Sequence, residues 1–249
     1  MKNSSVLSFN KVFFCALLLL VSINILGTYS EDILLLQSTK ALFIPVLLIL
    51  FFIKHKALSI PFISFFIFSF LGDVSLAFFD NGIFIKASSV FYFLSYMCLI
   101  GLVISKFNFF RIDKVIGAYL ILVFLINAYF LYTFYGILKA VVPDSLEVTL
   151  FGVKNISLIL LMFLAFGKYL ANDTKSSILF LMVALCLVFS TILNYVSIYY
   201  VYSWILVMLE RVIYAIGIYL LINYTIEENK SLIKQNNFQD SYKSDNIFA

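Results

Sequence analysis

Five ionisable side chains lie inside apolar runs of this chain: Lys40, Asp73, Lys154, Glu210 and Arg211. Asp73 sits in "FSFLGDVSLAFF" (68–79), a segment that otherwise reads as lipid-soluble. A charge at the centre of a lone spanning helix costs about 2.5–3.5 kcal/mol. Such groups face a bundle interior or a wet cavity, and by default they mark function. Two carboxylates and three cations in one layer would suit acid–base work on an anionic, lipid-like substrate.

Residue spacing supports one layer. At a rise of about 1.5 Å per residue, Asp73 lies roughly 25 Å beyond Lys56, near the far face of a core about 30 Å thick. From that face Lys40 is about 8 Å down, Lys154 about 10 Å and Glu210 about 14 Å. Thr191 and Asn194 fall at the same level. These residues come from five spans and are expected to form one polar pocket open to the extracytoplasmic side. Plainer roles are also open. Lys40 and Asp73 could be an ion pair locking two helices. Arg211 could neutralise a carboxylate on a neighbouring helix, and Lys154 could extend its stem to the interface. Asn24 and Asn127 fit helix–helix hydrogen bonding.

The elements that must position these groups are membrane spans. Hydrophobic residues fill 63% of the 249 positions and charged residues only 12%, whereas soluble domains are near half apolar and a quarter charged. The chain is therefore expected to be an all-α integral membrane bundle. Apolar stretches of spanning length predict eight transmembrane helices, near 12–28, 34–53, 57–79, 83–105, 115–136, 146–170, 177–198 and 201–223. Short connections predict that neighbours in sequence pack as antiparallel neighbours. The first stretch has no small-residue cleavage site and reads as a helix rather than a removed signal. Residues 1–226 form the transmembrane domain, and the polar segment 227–249 is expected to be a disordered tail.

Lysines and arginines set the orientation. With both termini in the cytoplasm, 12 basic residues fall in inside segments and 2, Lys86 and Lys139, fall outside. The expected location is a bacterial inner (plasma) membrane. Several classes are excluded or unsupported. His55 is the only histidine, so a multi-histidine metal centre is excluded, and no metal ligand set is expected. Cys15, Cys98 and Cys186 show neither disulfide nor zinc spacing. No nucleotide loop or nucleophile elbow is present, no cofactor is implied, and the net charge of +4 suggests no nucleic-acid partner. Oligomeric state is not encoded in any readable way.

"TKALFIPVLLILFFI" (39–53), "FSFLGDVSLAFF" (68–79) and "ILVMLERVIYAIGIYLLI" (205–222) resemble the second, third and closing helices of the YhhN-like lysoplasmalogenase family. The resemblance covers about residues 10–224. It implies a membrane-embedded hydrolase that cleaves the vinyl-ether bond of a lysolipid substrate, releasing an aldehyde and a glycerophospho-alcohol. It also implies two catalytic aspartates, the first being Asp73. The second belongs to an "SD" pair in the seventh helix, where this chain has Ser190-Thr191. The fourth helix, "FYFLSYMCLI", and Glu210-Arg211-Val212 in the last also depart from the family pattern.

Thr191 carries no charge, so Glu210 is the candidate second carboxylate. Asp73 would then act as the acid, made a proton donor by burial. Lys40, Lys154 and Arg211 would hold the phosphate. A lysine beside Asp73 would work against this by keeping it ionised. Two further readings follow from the same residues: a non-cleaving relative that binds an anionic lipid or amphiphile, and a small transporter. The transporter reading lacks the paired Gly/Pro helix breaks of that class.

Overall fold

In a computed structural model, the chain is described at residues 2–30, 41–49, 59–77, 82–104, 114–171 and 174–245. Among the described residues every regular element is helical. The helices are α1 (Lys2–Tyr29), α2 (41–49), α3 (Ile60–Ala77) and α4 (Gly82–Ile104). They continue with α5 (Lys114–Val141), α6 (Ser145–Ala171), α7 (Lys175–Tyr199) and α8 (Trp204–Asp245). Within them, 5 stretches are long and apolar enough to cross a membrane: Gly82–Ile104, Gly117–Val141, Ser145–Ala171, Lys175–Tyr199 and Trp204–Lys230. Phe14–Gly27 and Ile60–Leu76 are shorter apolar helices. The protein is thus an all-helical, multi-pass integral membrane protein.

Local sequence sets the helix starts. Thr174 caps α7 with a reciprocal box: its side chain accepts from the Ser177 backbone N–H, and the Ser177 side chain accepts from that of Thr174. Asp144 does the same service for α6, accepting from the backbone N–H of Leu146 at 2.9 Å and of Glu147 at 3.4 Å. It also pairs with Lys86 from the start of α4. Buried Leu99, Leu161, Ala184, Ile218 and Leu221 form part of a dry core between α4, α6, α7 and α8.

Sequence neighbours pack together for α3–α4, α5–α6, α6–α7 and α7–α8. The expectation fails at α4, whose second main neighbour is α6, and α5 is left outside, held mainly by α6. The reason lies in the side chains. Helix α4 buries Ser88, Ser89, Tyr92, Ser95 and Tyr96, and these need polar partners away from lipid. Helix α5 has no comparable buried stripe, and only 6% of its spanning window is buried, against 50% for α4 and α6.

A second difference concerns the C-terminal segment. The last helix does not stop near 223 but runs to Asp245, through the residues expected to be disordered. Its polar start is pinned. Glu228 pairs with Lys168 of α6 at 3.7 Å and accepts from Ser176 of α7, and Glu227 pairs with Lys175 and, one turn on, with Lys230. A helix already nucleated and anchored is extended at little cost.

Candidate functional site

Asp73, 1% exposed, is buried in the bundle about one turn before the end of α3. Both of its oxygens accept hydrogen bonds from tyrosines: Tyr92 of α4 donates to Oδ1 at 2.5 Å, and Tyr214 of α8 donates to Oδ2 at 3.2 Å. The preceding residue explains the approach. A Cβ on Gly72 would lie 3.2 Å from the Tyr92 ring, so the glycine lets that ring pack against α3 without being pushed back. Tyr96, one turn after Tyr92, shares a hydrogen bond with Thr191 of α7 at 3.2 Å. Thr191 in turn donates to the carbonyl of Leu187.

Glu210 is 4% exposed on α8, and Ser190 of α7 donates to it at 3.3 Å. Tyr214 follows it by one turn. Tyr96 and Tyr214 both lie within electrostatic reach of Asp73 and of Glu210. The Nζ of Lys154, on α6, sits over the rings of Phe151 at 5.2 Å and Tyr92 at 5.9 Å, so its cation is turned inward.

These groups enclose two adjoining hollows. The inner one, about 20 Å³, is walled by Tyr92, Tyr96, Lys154, Thr191, Glu210 and Tyr214 among others. The outer one, about 40 Å³, shares Tyr92, Lys154, Thr191 and Asn194 and continues to Glu147, Ile198 and Tyr199. It therefore leads to the bundle end where α6 starts and α7 finishes. A space of about 10–15 Å³ holds one water molecule, so the pair has room for a few.

Of the residues singled out in the sequence, Lys154, Thr191, Asn194 and Glu210 come together on the walls of these hollows. Asp73 stands one layer behind, screened by the tyrosines that bind it. Arg211 is not on the wall. Its Nη1 donates to Asn24 of α1 at 2.9 Å, and its Nε approaches Glu210 at 3.9 Å, so it ties α1 to α8. Asn24 thus joins two helices as expected, whereas Asn127 bonds the carbonyl of Val123 in its own helix. Lys40 lies outside the described residues.

The sequence reading missed Tyr92, Tyr96 and Tyr214. Their signal was spacing: Ser88, Tyr92 and Tyr96 recur every fourth residue on α4, and Tyr214 follows Glu210 by four on α8. Arranged this way, the site offers a carboxylate on the wall, a second held in place behind it, one cation and three phenol hydroxyls. That set can donate a proton, stabilise a cation and orient water. No family model, no characterised protein and no solved structure matches this chain.

Proposed function

We propose that the chain is a membrane-embedded ether-lipid hydrolase of the lysoplasmalogenase kind, as its resemblance to the YhhN-like family implies, with the tyrosine-lined hollow as its reaction chamber. The observation that carries this reading is a buried carboxylate, Glu210, on the wall of a water-sized polar space, with a second, Asp73, directly behind two tyrosines of that wall. The sequence reading made Asp73 the acid. Both of its oxygens are taken by tyrosine hydroxyls and it does not line the hollow, whereas Glu210 does, so the acid role passes to Glu210 as the carboxylate a substrate can reach.

In the reaction, Glu210 gives its proton to the β-carbon of the vinyl ether, leaving an oxocarbenium ion at the α-carbon. The negative charge of Asp73, carried forward by Tyr92 and Tyr214, stabilises that ion. Water held beside Thr191 and Asn194 adds to the α-carbon and returns a proton to Glu210. The hemiacetal then transfers its hydroxyl proton to the ether oxygen and breaks into aldehyde and glycerophospho-alcohol. Lys154 is the cation placed for the phosphate. We further propose eight crossings with both termini in the cytoplasm, supported by the 12-to-2 split of basic residues. In that orientation the outer hollow leads to the extracytoplasmic leaflet.

A second reading is favoured by one observation: the space admits a few waters and no head group. On that reading the site binds part of an anionic amphiphile without cleaving it. One experiment separates the two. Purified protein in liposomes is supplied with lysoplasmalogen, and released aldehyde is measured for the parent, Asp73→Asn and Glu210→Gln. The hydrolase reading expects turnover that falls about 100-fold or more in Glu210→Gln. Intact lysoplasmalogen bound to all three, with no aldehyde from any, contradicts it and supports binding alone.

A further inference from the structure

The molecule has a larger hollow on the side of α6 turned away from Lys154. Helices α5 and α6 part along their outer faces and leave a groove of about 440 Å³. Its walls run from Phe124 to Tyr135 on α5 and from Thr149 to Leu160 on α6. Eleven residue steps on each side give a length of about 16 Å, half of a hydrocarbon core about 30 Å thick. The groove therefore matches the depth of one leaflet. Its polar atoms are few: the Thr149 hydroxyl is spent on the carbonyl of Ser145 at 2.8 Å. Gly152 shapes one end, since a Cβ there would meet the Tyr135 ring at 3.3 Å.

Charge marks the same end. Lys139 follows Tyr135 by one turn on the same face of α5, is exposed, and forms no ion pair among the described residues. Lys86, also at this end of the bundle, is taken by Asp144. With Tyr132 and Tyr135 beside it, Lys139 completes an interfacial belt above an apolar slot.

We propose that this groove is a binding site for an anionic phospholipid of the surrounding bilayer, one acyl chain between α5 and α6 and its phosphate at Lys139. The occupant is committed by length, which fits one leaflet, and by the available cation at its head. The site is separate from the reaction chamber: Ile156, on the groove wall, is two residues from Lys154, so the two side chains leave α6 about 200° apart. It does not depend on the hydrolase reading. A lipid here also accounts for how an outlying helix such as α5 is held.

Native mass spectrometry of the full chain, released from mild detergent after incubation with phosphatidylglycerol or phosphatidylcholine, tests the site. The parent is expected to retain one phosphatidylglycerol, with occupancy at least fivefold above phosphatidylcholine. Ile156→Trp and Leu160→Trp, both at exposed positions that tolerate a large side chain, each fill the groove and lower occupancy at least fivefold. Lys139→Gln keeps a lipid but loses the preference for the anionic one. Equal occupancy in the parent and both tryptophan variants overturns the proposal. So does a dimer mass, free of lipid, that disappears in Ile156→Trp, because a second copy would then cover the groove.

Discussion

Asp73 and Glu210 could be picked out because a carboxylate in an apolar run has few explanations. The tyrosines carried only the weaker signal of their four-residue spacing, because a tyrosine is equally at home in a core, at a lipid interface or in a site. They are nonetheless what turns Asp73 into part of a cavity. Gly72 is the residue on which that depends. With Ala at 72, the new methyl presses on the Tyr92 ring, which must give by a few tenths of an ångström while its hydroxyl is held by Asp73. Gly72→Ala is expected to destabilise the fold by about 1–3 kcal/mol, as overpacking does. The same change in a Tyr92→Leu background, where the ring is gone, should cost under about 0.5 kcal/mol, a coupling that a double-mutant cycle in detergent unfolding would measure. Equal costs in both backgrounds would show that the contact is not what glycine serves. Thr191, at the position where the resemblance expects an aspartate, instead bonds Tyr96, so it braces α4 against α7.

Helix positions were legible from apolar length, but helix neighbours were not. Nothing in the hydropathy of α5 separates it from α4; the difference is the buried polar stripe that α4 carries, bonded to α3 and α7, and that α5 lacks. For the C-terminal segment the sequence reading weighed polar composition alone; the partners of Glu227 and Glu228, namely Lys168, Ser176 and Lys175, lie fifty or more residues upstream. The start of α6 offers a pH test outside the membrane. The contact with Lys86, then the Leu146 backbone N–H, hold the Asp144 carboxyl below its ordinary value of 3.8. A depressed carboxyl stabilises above its unfolded value and loses that contribution as pH falls through the folded one. Protection of the Leu146 and Glu147 amides should therefore be flat from neutrality to about pH 4 and fall below it. In Asp144→Ala it should be low throughout. A loss of protection already between pH 7 and 5 in the parent would contradict the cap.

At the scale of the molecule, a dry layer separates two polar clusters among the described residues. Glu210 and Lys154 belong to one; Lys168, Tyr224 and Glu228 belong to the other, where the Lys168 ammonium bonds Tyr224 at 2.9 Å. Between them Leu99, Leu161, Ala184, Ile218 and Leu221 are fully buried. Lys154 and Lys168 are fourteen residues apart on α6, about 21 Å, so the chamber reaches one end of the bundle and not the other. That arrangement suits chemistry confined to one leaflet better than passage through the bundle. The proposed orientation predicts that, with Cys15, Cys98 and Cys186 replaced, Asp144→Cys is labelled by an impermeant thiol reagent in intact cells. Lys243→Cys should react only after permeabilisation, and the reverse pattern would invert the topology. The most direct measurement is hydrolysis of lysoplasmalogen by the reconstituted protein in heavy water, with the released aldehyde trapped by reduction and weighed by mass spectrometry. The account predicts one deuterium at the carbon next to the aldehyde carbon, placed there by Glu210, and a yield at least about 100-fold lower for Glu210→Gln. Aldehyde without that deuterium, or an undiminished yield from Glu210→Gln, would contradict it.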